Sequence, residues 1–551
     1  MSDDQPREES KLRDQFLLLL DRLSSKREIR LLVYGSSLAF FFLLVLLPPL
    51  TGVLLRLEQA TEIFSNAELA ARAQSAIVWS FAIATLVSML DLGAALPMAW
   101  LIARRRGAWR DSLDTLVDIP FIIPTVALGF SSLLFWGQAG GMLGSRSVFQ
   151  PGLTLVLLLH FAFSYPVVVR VLVGEFQTYQ RTYEVVARTL GASPFTAVRT
   201  VTLPILKPGL VAAFLLAFAR SLSETGATVM VAGAFENGPV FIKNAKDAGF
   251  QGPLVFVSTV LILSSVLVFA LISIVGRRFK LPLRRVWPSL ETRLSSPSSV
   301  ASRDAVTLIV FLLFVVAPSL FIVLPGVQAI FDGTLGMALN RTGPWSQYWN
   351  SIALSYTIGL AATLLNVLAG LPLALLIARV RVGGSITAAI DALVNVPIII
   401  PSIALGVSLS FFWGSFGSLP EFWVLILSHT TITYTYFVRA VAAAVQGMPT
   451  ELEDAARTLG ARPLTVFRRI TAPIIKYSLL AGAIMVFTRA IDETGAAVAV
   501  SRELKTAPVL LVDWVRGTVA VTASERALGI GFLVITSFAT LLVLRLIARR
   551  V

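Results

Sequence analysis

EVVARTLGASPFTAVRTVTLP, from Glu184 to Pro204, returns 269 residues later as EDAARTLGARPLTVFRRITAP, from Glu453 to Pro473. Each copy opens on acidic and small apolar residues and continues as Arg-Thr-Leu-Gly-Ala. A Pro follows three residues after the Gly, and then a basic patch. Acidic residues favour a helix N-terminus, where they meet the positive end of the dipole. Gly191 and Gly460 suit the residue that ends a short helix, because Gly reaches positive φ without a Cβ clash. Pro204 and Pro473 suit the first turn of the next helix. The spacing therefore predicts, twice, a short helix, a sharp turn, a second amphipathic piece and entry into a long apolar helix. A polar hairpin of this kind carries nothing across a membrane by itself; it is suited to being gripped by a partner.

Composition sets the surroundings of these hairpins. Of 551 residues, 56% are hydrophobic and 14% charged, against about a quarter charged in typical globular domains. This is the balance of a polytopic membrane protein. The net charge of +14 forms no basic face or nucleic-acid module; the basic residues cluster between apolar runs, as the positive-inside rule expects. With no cysteine and two histidines, disulfides and thiolate chemistry are excluded and a His-rich metal centre is disfavoured. No G-x-x-x-x-G-K-[ST] loop is present, so the chain does not bind ATP in the P-loop manner, and no triad or zinc motif appears.

Residues 1–30 are charged, and the long basic lead without a small-residue cleavage site predicts an uncleaved anchor. Apolar runs long enough to span, about 20 residues, follow near 31–55, 75–103, 113–136, 152–174, 208–234 and 254–276. A second set lies near 304–330, 350–378, 387–413, 421–443, 477–500 and 525–547. Basic residues fall in every second loop: Arg104, Arg105, Arg106 and Arg110; Arg181, Arg188, Arg199 and Lys207; Arg277, Arg278, Lys280, Arg284, Arg285 and Arg293; Arg379 and Arg381; and Arg545, Arg549 and Arg550 at the end. The outer loops are poorer, although the last holds Arg502, Lys505 and Arg516. Both termini and both hairpins are thus expected in the cytoplasm. The division expected is a cytoplasmic segment 1–30, a first unit 31–277 with its hairpin at 183–204, a polar linker 278–303, and a second unit 304–551 with its hairpin at 452–473.

The halves repeat beyond the hairpins. LPMAWLIARRR at 96–106 matches LPLALLIARVR at 371–381, and DIPFIIPTVALG at 118–129 matches NVPIIIPSIALG at 395–406. The first half carries about eight extra residues, assigned to the Gly-rich outer loop GQAGGMLGSRSVFQPG. Six spans per half is even, so the repeats share one orientation. The fold class expected is all-α and polytopic, about twelve transmembrane helices in two parallel six-helix repeats.

The span after each hairpin holds a matched polar break, FARSLSETGATVMVAG from Phe218 to Gly233 and FTRAIDETGAAVAVS from Phe487 to Ser501. Glu224, Thr225 and Gly226 correspond to Glu493, Thr494 and Gly495. An ionisable residue inside a span costs several kcal/mol, of order 3, unless it faces protein or water. Arg220 and Arg489, four residues earlier, share a helix face with the glutamates. The pairs are either structural neutralisation or part of a pathway and gate, and both readings stand. Pro120, Pro124, Pro397 and Pro401 either break the third spans or start them. His160 and His429, inside the fourth spans, fit interhelical hydrogen bonds better than a ligand or a proton relay.

The hairpins resemble the EAA loop of ABC-importer permeases, whose short coupling helix docks in a groove of a cytoplasmic ATPase. The second copy matches at Glu453, Asp454, Ala455, Ala456, Leu459, Gly460 and Pro473; the first keeps Glu184, Ala187, Leu190, Gly191 and Pro204 and has Val185 and Val186 in place of the acid and first Ala. The resemblance implies the type I ABC-importer permease fold, here as two permeases fused. It implies ATPase coupling through Glu184, Ala187, Arg188, Gly191, Glu453, Asp454, Ala456, Arg457 and Gly460. It also implies a bilayer-embedded chain of a prokaryotic cell membrane, two ATP-binding cassette subunits, an extracytoplasmic solute-binding protein, and ATP and Mg held by the partner rather than by this chain. The polar breaks resemble the E-F-G-A-T segment of oxyanion-importer permeases, with Thr for the aromatic, which in that family lies near the path and gate. Fused permeases resembling this one serve ferric iron, thiamine and phosphonate; the break leans toward sulfate or molybdate. The alternative is an ion-gradient-driven secondary transporter with two parallel six-span repeats, which needs no ATPase and leaves the paired hairpins unexplained. A membrane enzyme finds no catalytic constellation.

Overall fold

The computed structural model describes residues 15, 19–104, 107–137, 147–278, 287–379, 384–417 and 419–550. Most of the charged N-terminal segment, Arg105 and Arg106, most of the extra outer loop, Lys280, Arg284, Arg285 and Arg381 lie outside them. Among the described residues all regular structure is helical. The spans are α1 (Arg27–Ser65), α2 (Ala67–Arg104), α3 (Trp109–Phe121 with Thr125–Gly137), α4 (Leu153–Thr178), α5 (Pro194–Ile205 with Lys207–Ser223) and α6 (Gln251–Ile272). The second half repeats them as α7 (Pro297–Phe331), α8 (Trp345–Arg379), α9 (Ile386–Ile399 with Ser402–Gly414), α10 (Glu421–Gln446), α11 (Pro463–Asp492) and α12 (Ala523–Leu544). Among the described residues eight are single helices long and apolar enough to cross a membrane and three are bent pairs. The twelfth, α10, carries the polar run SHTTITYT. It tolerates that run because Ser428 through Thr435 are buried among other helices rather than facing lipid.

The bends follow from proline. α3 turns by 97° and α9 by 102°. At each corner the residue before a proline is extended, Ile123 at ψ 125° and Ile400 at ψ 132°, because the Pro124 or Pro401 ring disfavours the helical region for its predecessor. α5 bends by 72° where α11 runs on unbroken. Pro208 is the difference: it lacks the N–H a continuous helix requires, and Tyr477 stands in its place in the second half.

The first span of each half packs on the other half. In the first half, Ser37 donates to Ala369 O, Thr431 donates to Leu44 O (3.2 Å), and Ser408 Oγ donates to Pro48 O while accepting the Val53 N–H, both at 3.0 Å. The mirror contact is the Ile322 N–H on Ser131 Oγ at 2.9 Å. Gly52 allows the approach, since a Cβ there would lie 1.8 Å from the Ser408 carbonyl oxygen. Within the stretch expected as a linker, the described residues from 288 on are mostly helical: Pro288–Leu294, then α7 from Pro297, where Ser296 Oγ accepts the Ser299 N–H (3.3 Å) and Pro occupies the first turn. Ser-Pro-Ser-Ser here is a helix start rather than a flexible tether.

Candidate coupling loops and translocation cavity

Each hairpin folds as a short helix, Thr182–Thr189 or Thr450–Thr458, ended by a glycine at φ 91° (Gly191) or 82° (Gly460). The Ala192 N–H reaches Ala187 O at 3.1 Å and the Ala461 N–H reaches Ala456 O at 3.0 Å, the closing bond of a left-handed helix cap. The repeat-matched acids Glu184 and Glu453 point inward. Glu184 is buried and paired with Arg104 at 2.8 Å, and Glu453 is buried, 3.4 Å from Arg379, accepting the Thr471 hydroxyl at 2.8 Å. Arg104 also lies over the Trp100 ring at 4.7 Å. Each loop is thus fastened to the end of the second span of its own half. The outward face carries Val185, Val186 and Arg188 in the first copy and Asp454 and Arg457, 3.0 Å apart, in the second. Ala187 and Ala456 are half-buried. At the tips Leu190 is 83% and Leu459 88% exposed, with Phe331 the most exposed large apolar side chains among the described residues.

Between the halves lies a cavity of about 1020 Å³ walled by both. Arg170 and Arg439 project from α4 and α10, and Arg220 and Arg489 from α5 and α11. Its ceiling is Thr125, Ser402, Ser223 and Asp492. Residues beyond the polar breaks do not line it, so it lies on the hairpin side of them. Every arginine has an acidic neighbour: Arg170 with Asp114 (2.6 Å) and Asp118 (2.7 Å), Arg439 with Asp391 (2.5 Å), Arg220 with Glu224 (3.5 Å), Arg489 with Glu493 (2.9 Å). Asn395 replaces Asp118 in the second half and accepts from Arg439 Nε at 2.8 Å.

At the breaks the backbone becomes extended at Glu224 and Glu493 (ψ 125° and 119°), then re-enters the short helices Gly226–Val231 and Gly495–Val500. Each glutamate is buried and caps that helix, accepting the N–H of Ala227 or Ala496 at 3.2 Å. The glutamates therefore sit behind the wall, and their arginines face the cavity. Thr225, Gly226, Thr494 and Gly495 meet at the contact between halves. A Cβ on Gly226 would lie 2.7 Å from the Thr494 side chain, and one on Gly495 would lie 2.8 Å from Thr225 Oγ1 across the seam and 2.0 Å from Ser402 Oγ of its own half. Two bonds cross this seam, Ser402 Oγ to Ser223 O at 2.9 Å and the Thr125 N–H to Asp492 Oδ1 at 2.8 Å. On the far side Lys246 donates to Ser501 O at 2.7 Å and to Val498 O, closing the C-terminus of Gly495–Val500. His160 contacts Ser221 and Thr228, each at 2.8 Å, one on either side of the first break. Among the described residues the His429 ring meets the Leu425 carbonyl of its own helix (2.7 Å), and Ala490 and Ala497 replace those hydroxyls.

Sequence reasoning missed Arg170, Arg439 and Asp492. The two arginines are partners at the same 269-residue offset as the hairpins, so the repeat applied to every charge inside a span finds them. Asp492 is the reverse case, a carboxylate where the first half has Ser223.

The sequence pattern of binding-protein-dependent transport system inner membrane components matches twice, over residues 95–281 and 370–551. The chain belongs to this family. Each match begins within the second span and ends with the half, so one family unit corresponds to one half of the fold. Among curated relatives, the molybdenum transport system permease protein ModB of Mycobacterium tuberculosis is 39% identical over 167 residues, 29% of this chain and 62% of that protein. The sulfate transport system permease protein CysT of Escherichia coli is 33% identical over 208 residues, 36% of this chain and 73% of the relative. Escherichia coli ModB is 31% identical over 160 residues, 28% and 69%. The alignment spans 62% of the mycobacterial protein, under two thirds, and each of these relatives matches 28–36% of this family member.

Proposed function

We propose that the chain supplies both membrane domains of an ATP-driven, binding-protein-dependent importer for a small oxyanion of the sulfate or molybdate kind. Two ATPase subunits carrying ATP and Mg dock on the coupling helices at the cytoplasmic face, and a solute-binding protein delivers cargo from the other side. The observation that carries the reading is the pair of matched hairpins, each anchored inward by a buried glutamate and offering an exposed leucine at its tip. An anchored loop transmits a push to the second span of its half, whereas a loose loop would absorb it. When the ATPase pair closes, the coupling helices approach and the halves rotate about the glycine–threonine seam. The cavity is then exposed to the opposite side.

The cargo assignment draws on the four cavity arginines and on the relatives' names. Arginine suits tetrahedral oxyanions because its planar fork donates two parallel hydrogen bonds. The acidic partners matter equally: a site that releases its ion on each cycle must bind weakly, and arginines already paired hold an anion less tightly than free ones. Membranes or proteoliposomes containing the assembled complex test this directly. Labelled molybdate or sulfate uptake should require ATP and survive collapse of ion gradients. Uptake that stops with an ionophore and ignores ATP would contradict the importer reading, and uptake of ferric iron in place of either anion would contradict the cargo.

A further inference from the structure

The helix that follows each coupling turn, Pro194–Ala197 or Pro463–Val466, begins with backbone N–H groups that have no partner within the helix. Pro194 and Pro463 have no N–H, leaving Phe195 and Thr196 in the first half and Leu464 and Thr465 in the second. The first half caps one locally, since the Thr196 N–H donates to Ser193 Oγ at 3.3 Å. Arg462 stands where Ser193 would be and offers no acceptor. The Thr465 N–H instead donates to Asp21 Oδ1 at 3.0 Å, 444 residues away in sequence. The other pair is served alike in both halves: the Leu464 N–H donates to Ser24 Oγ at 3.3 Å and the Phe195 N–H to Ser295 Oγ at 3.1 Å. Both serines turn their own proton back on their helix, toward Asp21 O (2.8 Å) and Glu291 O (2.7 Å), which leaves a lone pair for the loop.

Ser24 and Ser295 occupy the same place in a short repeat, Arg-Leu-Ser-Ser at 22–25 and 293–296. It hides in what composition reads as a charged tail and a polar linker. Glu291 adds charge to the first contact: it is 4% exposed, accepts the Thr196 hydroxyl at 2.5 Å and pairs with Arg199 at 2.9 Å. Negative charge at a helix start is favourable. These segments lead straight into α1 and α7, the two spans that pack on the opposite half.

We infer that the segment ahead of each half's first span positions the coupling loop of the other half, with Asp21 and Ser24 holding the second loop and Glu291 and Ser295 the first. Sequence order and mechanical unit therefore differ: the N-terminal segment serves the second half's ATPase contact, and the linker serves the first. The positioning stands on geometry alone, and its consequence for ATP coupling rests on the function proposed above.

Amide hydrogen exchange on the full chain in detergent decides the positioning. In Asp21→Ala, and more strongly in Asp21→Ala with Ser24→Ala, residues 464–466 should exchange faster while 195–197 are unchanged. Glu291→Ala with Ser295→Ala should do the reverse. Adding Arg462→Ser to Asp21→Ala gives Thr465 the local cap that Ser193 gives Thr196, and protection should return. Unchanged exchange at 464–466, equal loosening of both loops, or failure of Arg462→Ser to restore protection would overturn the inference. In the complex with its ATPase, Asp21→Ala should lower the ratio of cargo-stimulated to basal hydrolysis several-fold, and Arg462→Ser should restore it; a ratio that does not move overturns the coupling consequence. Absence of any ATPase from the wild-type complex would defeat the docking reading and leave the exchange result to decide the positioning.

Discussion

Gly495 has no room for a side chain. Its Cβ would meet Ser402 Oγ at 2.0 Å, Thr225 Oγ1 at 2.8 Å and the Ile403 backbone nitrogen at 3.0 Å, so the obstruction is partly backbone and cannot rotate away. Gly495→Ala should push its short helix off α9 of its own half and off Thr225 across the seam, at a cost of about 1–3 kcal/mol, typical of overpacking, read as a lower midpoint in thermal unfolding in detergent. A variant as stable as the parent would mean the seam is looser than described. Asp492 works at the same seam from the other side. Asp492→Ser, which copies the first half's Ser223, removes the cap on the Thr125 N–H, a change worth about 0.5–2 kcal/mol. It should raise futile ATP hydrolysis without cargo, because the resting closure is weakened. Unchanged basal hydrolysis would show that Asp492 does not hold the gate. These residues were partly legible: the repeat marked Glu224, Gly226, Glu493 and Gly495, but sequence cannot show that an arginine faces the cavity while its glutamate faces a helix N-terminus. That assignment depends on the extended residue at the break, which swings Glu224 and Glu493 away from the faces of α5 and α11.

The hairpin helices are anchored rather than merely exposed. Arg104→Met leaves Glu184 buried without its partner, and breaking a buried pair costs about 3–5 kcal/mol. The loop should detach from α2, and limited proteolysis near Arg188 should accelerate while cleavage of the second loop does not. Equal cleavage of both loops would argue against independent anchoring. The bend of α5 makes a complementary case. Pro208→Tyr copies Tyr477 and should favour a straighter α5, changing distances between spin labels placed near its two ends. Unchanged distances would shift the cause of the 72° bend away from Pro208. Helix positions were readable from hydropathy nearly everywhere. α10 was readable as well, although its polar run only makes sense once its burial is known. The prolines of α3 and α9 allowed two readings, and backbone geometry divides them: Pro124 and Pro401 make the break, while Pro120 and Pro397 sit in the first turns of Ile119–Ile122 and Val396–Ile399.

For the whole molecule, two copies of one family unit face each other across an arginine-lined cavity, and each first span crosses to the opposite half. The duplication was legible from the hairpins outward. The exchange of first spans was not, because its contacts are single hydroxyls on carbonyls, Ser37 on Ala369 and Ser408 on Pro48, and such pairs leave no periodic trace. The central claim is that the two glycine-ended hairpins hold an ATPase. Its most direct measurement is co-purification of the ATPase with wild type, Gly191→Pro, Gly460→Pro and the double variant. Proline fixes φ near −65° and cannot adopt the 91° and 82° found at these turns. Wild type should bring down an ATPase, each single variant should weaken the association, and the double variant should lose it while remaining folded in the membrane. A double variant that retains the ATPase, or a wild type that transports without one, would contradict the claim.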